Sequence, residues 1–146
     1  MAESGDLDHE RMKRFMDFFA TEVMAIPRDS DIHPLRVLQA IEERSPSNAR
    51  KGLRMAVNDM VEMSEDFSLD EVTRLDARLS AQDALTLSQA RLQFSRRLKA
   101  ILKRGWIRGE MEYHLVRNAA ECTDQDMASK MWPLLATFEL EVKSNA

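Results

Sequence analysis

The sequence predicts an all-α protein, a single compact array or bundle of about seven helices joined by short loops. Three observations carry this. Glycine and proline are scarce, at four each. Alanine and leucine number 16 each, whereas Val, Ile and Thr together number 17. Unbranched side chains lose little rotamer freedom in a helix, so this usage favours helix over strand. Apolar residues also recur at helical three-and-four spacing, and no stretch alternates long enough for a strand. With 146 residues, 44% of them hydrophobic and 32% charged, the chain reads as one globular domain spanning 1–146. Residues 1–6 and 143–146 are expected to fray.

The first helix is predicted over residues 7–25, where Met12, Phe15, Met16, Phe19 and Val23 share a face and Pro27 blocks continuation. A short second helix opens at Pro34, whose missing N–H costs nothing at a first helical position. Leu35, Leu38 and Ile41 form its inner stripe, with Val37 beside it, and it stops near Arg44. Ser45-Pro46 caps a third helix that runs to about residue 65 and buries Leu53, Ala56, Val57, Met60 and Met63. Ser68 and Glu71 form a capping box for a fourth helix to about residue 80, with Leu69, Val72, Leu75 and Leu79 inward. Thr86 and Gln89 repeat the device for a fifth helix predicted to run unbroken to Arg104. On it Leu87, Phe94, Leu98 and Ile101 lie on one arc and Arg91 near its boundary.

Gly105 stands where a left-handed C-terminal residue belongs, and Trp106 is expected to pack back on Ile101. A sixth helix follows from about Gly109, with Glu110 and Glu112 favourable to its dipole and Met111, Leu115 and Ala119 inward. Thr123 can cap a seventh, on which Met127, Met131, Leu134, Leu135, Phe138 and Val142 keep helical period. Pro133 within that pattern predicts a kink or break near Met131. Most of the ten methionines fall at inward positions, which favours core filling over an adaptable binding groove.

Charge is strongly segregated. Arg91, Arg96, Arg97, Lys99, Lys103, Arg104 and Arg108 lie in one run that contains no acid, while the remaining 14 Lys and Arg face all 25 Asp and Glu, a formal balance of −11. Arg96, Lys99 and Lys103 share a narrow arc opposite the apolar face, and Arg104, Trp106 and Arg108 carry the charge into the turn. Such a rod ending in an aromatic could meet an acidic protein surface, or phosphates and a base. The plainer account is the solvated face of an amphipathic helix, its C-terminal cations favourable to the dipole. Residues 68–104 could mimic a helix-turn-helix, but the 81–84 turn lacks the usual glycine and the second helix is longer than the motif needs. The overall charge of −4 also argues against a dedicated nucleic-acid binder.

Little points to catalysis. The chain holds no P-loop, no G-x-G-x-x-G and no G-x-S-x-G. His9, His33 and His114 form no zinc-type spacing, and Glu110 with His114 makes only two ligands. The carboxylates at Glu65-Asp66 and Asp70-Glu71 match neither an EF-hand nor a paired-acid site. No metal and no cofactor are called for. An apolar run long enough to span a bilayer is absent, so no membrane is expected. Residues 1–10 are acidic and polar, unlike a signal peptide, and Cys122 is the sole cysteine, so a cytoplasmic location is expected.

The expected function is a small non-enzymatic interaction module, of adaptor, regulator or inhibitor type. It would dock through Arg96, Lys99, Lys103, Arg104, Trp106 and Arg108 on an acidic protein surface, or self-associate through them. The alternative is nucleic-acid binding by the same residues. A third reading, an enzyme with a helical pocket, requires His114, Tyr113 and Cys122, or the acidic loop residues, to converge.

Overall fold

The computed structural model describes residues 4–144, and the side chains of 4–6 and of Cys122 lie outside the described residues. The described residues form eight α-helices and one π turn, with no strand. These are α1 (Ser4–Phe18), the π turn (Phe19–Val23), α2 (Pro34–Arg44), α3 (Pro46–Met63), α4 (Leu69–Ala81), α5 (Leu87–Phe94), α6 (Arg96–Arg104), α7 (Glu110–Cys122) and α8 (Gln125–Ser144). Part of the expected fraying lies outside the described residues, at 1–3 and 145–146, while 4–6 and 143–144 are helical.

The caps explain most boundaries. The Ser45 hydroxyl accepts from the Asn48 N–H at 3.4 Å and the Ser68 hydroxyl from the Glu71 N–H at 3.2 Å. At Thr86 the capping box is complete, with the Gln89 N–H donating to Oγ1 and the Thr86 N–H to the Gln89 side chain. Two such hydrogen bonds satisfy orphan helix-end donors and fix where the chain turns. α2 has a less ordinary cap. His33, buried, accepts the Leu35 N–H on Nδ1 at 3.1 Å, so its proton sits on Nε2, 2.9 Å from Thr21 Oγ1.

Five expectations are corrected. The predicted fifth helix breaks at Ser95, whose extended backbone (φ −69°, ψ 112°) ends α5 while its hydroxyl accepts from the Leu98 N–H at 3.1 Å and starts α6. Serine competes with helical backbone bonds through such local contacts. The first helix widens into a π turn at Phe19, and Phe15, Phe18 and Phe19, which share one helix face, are all buried. α8 runs unbroken through Pro133, with Met131 and Leu135 buried on either side; burial of that stripe offsets the proline penalty of about 3 kcal/mol. Asp124, not Thr123, caps α8, its carboxylate accepting the Met127 N–H at 2.8 Å. Met63, Met111 and Val142 are exposed rather than inward. Core filling holds for Met12, Met16, Met60 and Met131, while Met24 and Met55 face out.

The buried residues form two clusters. The first joins Phe15, Phe18 and Phe19 to Leu53 and Val57 of α3, Val72 and Leu79 of α4, and Leu87 and Ala90 of α5. The second joins Leu98 and Ile101 of α6, Ile107, Leu115, Val116 and Ala119 of α7 and its approach, and Met131 and Leu135 of α8. Leu92 of α5 packs on this second cluster, so α5 serves both. No helix among the described residues is long and apolar enough to cross a membrane.

Candidate functional site

The break at Ser95 divides the basic run into parts with different fates. Arg91 belongs to the interior. It is 2% exposed, and its guanidinium donates to the backbone carbonyl of Ser64 and, at 3.3 Å, to the Ser64 hydroxyl. Burial lowers its pKa from the ordinary value, opposed by the charges of Asp76 and Glu65. Arg91 thereby caps the C-terminal end of α3, where free carbonyls favour a cation. The sequence carried a signal for this. Leu87, Arg91, Phe94 and Leu98 are spaced by four, three and four, so Arg91 occupies an inward position of its stripe.

α6 then displays its charge outward. Arg96, Lys99 and Lys103 are exposed on the side opposite Leu98 and Ile101, as the 3.6 period dictates. Lys99 donates to the Gln93 carbonyl at 2.9 Å. Among the described residues neither Arg96 nor Lys103 has an ion-pair partner. Arg97, on the flank, meets Glu65 at 3.5 Å and the Met111 sulfur at 3.2 Å.

The turn after α6 is tightly organised. Gly105 adopts φ +87°, a region that suits glycine, and its N–H reaches the Ile101 carbonyl at 2.8 Å. The chain then directs Ile107, rather than Trp106, into the cluster that holds Ile101. Trp106 stays 48% exposed, with the Arg104 guanidinium 4.4 Å and that of Arg108 5.2 Å from its ring centroid. Arg104 also donates to the Trp106 carbonyl at 2.7 Å and to the Glu112 carboxylate. Glu112 accepts the Arg108 N–H at 2.8 Å as well. Burial pushes the Glu112 carboxyl up, but the Arg108 amide and the Arg104 guanidinium outweigh it and hold the pKa below the usual carboxylate value. So of the six candidate residues, Arg96, Lys99 and Lys103 form one exposed cationic face. Arg104, Trp106 and Arg108 form a separate stack whose charge Glu112 partly neutralises.

Two open grooves flank α7. One, of about 320 Å3, lies between α7 and α8 and is lined by Tyr113, His114, Phe138 and Glu139. Tyr113 stacks on Phe138 with centroids 5.2 Å apart and donates to the Glu139 carboxylate. That hydrogen bond, with burial second, raises the Tyr113 pKa, so the phenol is held protonated. The other groove, of about 500 Å3, brings Glu65, Asp66 and Asp70 near Glu110 and His114. Tyr113 and His114 thus come together at the α7 groove, but Cys122 lies at the far end of α7 and its side chain is outside the described residues. Among the described residues no three His, Cys, Asp or Glu side chains gather as a metal cluster. No protein family, curated protein or solved structure matches the chain.

Proposed function

We propose that the protein is a small interaction module, non-enzymatic, whose α6 docks an acidic surface of a partner protein. The observation that carries the reading is the face of Arg96, Lys99 and Lys103. Its three cations are exposed and have no ion-pair partner among the described residues, in a chain whose remaining 18 Lys and Arg face 25 Asp and Glu. Cations held in this way raise the rate and selectivity of encounter with an anionic surface. A cytoplasmic location belongs to the same reading.

Nucleic-acid binding is the second reading, and the same three residues favour it. The state of Trp106 does not. Two guanidinium groups already lie near its ring, where they compete with a base for stacking.

The test uses polyglutamate and mixed-sequence DNA and RNA as probes, each titrated across a salt series. Wild-type protein is compared with the Arg96→Glu, Lys99→Glu, Lys103→Glu triple variant. Polyglutamate binding that the variant loses, with its circular dichroism unchanged, is the expected result. Polyglutamate binding that survives the triple change removes α6 as the docking face. Nucleic-acid affinity falling by about 0.9 log units per phosphate contact per log unit of salt would put the second reading first.

A further inference from the structure

The two grooves beside α7 adjoin along Glu110 and His114, which line both. Half-buried apolar side chains form the floor, Phe67 and Leu69 on the side of α4 and Tyr113 and Phe138 on the side of α8. Met111, 47% exposed, extends it. The rim is acidic. Asp66, Asp70, Glu110 and Glu139 are exposed, and none has an ion-pair partner among the described residues. Glu65 is answered by Arg97 from the edge of α6, and Lys143 is the one lysine or arginine among the described residues that line the grooves.

α7 adds a polar group to the same arc. At 100° per residue Asn118 falls between Met111 and His114, about 20° from one and about 40° from the other, one turn beyond His114. It is 3% exposed, and neither atom of its amide has a hydrogen-bond partner among the described residues. A buried amide left unpaired is costly, so its place on the groove arc points to a ligand group that answers it.

We propose that this trough binds a basic amphipathic helix of a partner protein. Apolar side chains of such a helix cover the floor, while lysines and arginines along its flanks meet the four free carboxylates. The rings of Tyr113 and Phe138 favour cations as well, and Asn118 Oδ1 is a further acceptor for a cationic tip. A bare metal ion fits less well, because it makes no use of the floor and no metal cluster gathers among the described residues. The chain's own basic helix does not fit either. Leu98 and Ile101 of α6 are buried in their own cluster, so a second copy would offer the trough charge without apolar anchors. The trough is thus a second docking surface, opposite in sign to the face of α6 and independent of it.

The test is fluorescence anisotropy with a labelled Leu/Lys amphipathic peptide of about five helical turns, with polylysine of equal length as comparator. Wild type is expected to bind the amphipathic peptide more tightly than polylysine. Asp70→Lys with Glu110→Lys is expected to weaken it by roughly tenfold. Asp29→Lys with Glu43→Lys makes the same change of net charge at exposed sites outside the trough, and is expected to stay within about twofold of wild type once general charge attraction is screened by salt. Met111→Ser is expected to weaken the amphipathic peptide and to leave polylysine unchanged. Asn118→Leu is expected to raise the urea midpoint of the free protein and yet to bind the peptide less tightly, two opposite shifts that a purely structural asparagine would not give.

Equal losses in the two charge variants, or polylysine bound as tightly as the amphipathic peptide, overturn the proposal. So does self-association in sedimentation equilibrium that Asp70→Lys with Glu110→Lys abolishes, since the occupant is then a second copy. If the double lysine variant were to unfold the chain, Asp70→Asn with Glu110→Gln and the exposed Met111→Ser decide in its place. Loss of peptide binding in the Arg96, Lys99, Lys103 triple variant would also overturn it, and polyglutamate binding by that face stands or falls separately.

Discussion

The cluster built by α1 to α5 and the cluster built by α6 to α8 are finished differently on the outside. Around the first, ion pairs tie together segments far apart in sequence. Lys13 meets Glu42 at 3.0 Å, Arg14 meets Asp83 at 3.3 Å, and Arg78 meets Glu22 at 3.4 Å while lying 4.8 Å from the Phe18 ring. Its exposed apolar residues, such as Ile32, Val37 and Met55, are scattered over separate elements. Around the second cluster Arg104 with Glu112 and Arg117 with Glu121 are local pairs, and Arg97 reaches back to Glu65 at 3.5 Å. Both tryptophans are half-exposed there, and among the described residues Arg96 and Lys103 of α6 have no ion-pair partner. The first region uses long-range ion pairs to tie its segments together, although Arg54 and Arg74 have no ion-pair partner among the described residues. The second concentrates an exposed cationic face and both half-exposed tryptophans in its few elements, and that is where partners should be sought.

The comparison is tested most severely by asking whether the two regions fold as one. Phe15→Ala removes a fully buried ring from the first cluster and is expected to cost about 3–5 kcal/mol in urea unfolding. Trp106 and Trp132 both report on the second region. Their fluorescence should shift to the same new midpoint as circular dichroism, because α5 contributes to both clusters. A fluorescence transition that stays at its wild-type midpoint would show two independent units.

Arg91→Ala sharpens the division within the basic run. Loss of the buried guanidinium leaves the Ser64 carbonyl and hydroxyl without that donor, with an expected cost of about 2–3 kcal/mol. Its effect on polyglutamate binding should be nil once the protein is folded, in contrast to changes at Arg96, Lys99 and Lys103. Loss of binding in folded Arg91→Ala would blur the line drawn between interior and docking cations.

The smallest expected effect concerns acid. Glu112 has a folded pKa below its ordinary value of 4.5. Its contribution to stability is therefore complete above that value and is lost as pH falls through the lower, folded one. Glu42, held down by Lys13 and His9 against its own partial burial, behaves alike in the first region. Thermal melts below pH 4.5 should show Glu112→Gln losing less stability on acidification than wild type does. An unchanged acid limb would mean that the Arg104 and Arg108 contacts do not discriminate the charged form.

Much of this architecture was legible because helix starts are written in local chemistry. Pro34, Ser45-Pro46, Ser68 and Thr86 each announce a start that depends only on residues within one turn. The break at Ser95 was not legible, since Leu98 and Ile101 keep the phase set by Leu87 and the period simply continues across it. Nothing three residues after Ser95 completes a capping box; that position is Leu98. Pro133 misled in the opposite sense, because tertiary burial of Met131 and Leu135 outweighs a local rule. The outward charge of Arg96, Lys99 and Lys103 followed from period alone. The burial of Arg91 was available from the same stripe, but a cation at an inward position becomes intelligible only with the Ser64 carbonyl in view.

The wide turn at Phe19–Val23 has a consequence for the chain's ancestry. A π turn accommodates one residue more than an α-helical turn of the same rise. The segment from Ser4 to Val23 therefore spans the length of an ordinary helix with a residue to spare, and within the wide turn Thr21 meets both Asp17 and His33. Any relative that keeps a plain helix here should align with a single-residue gap inside this turn.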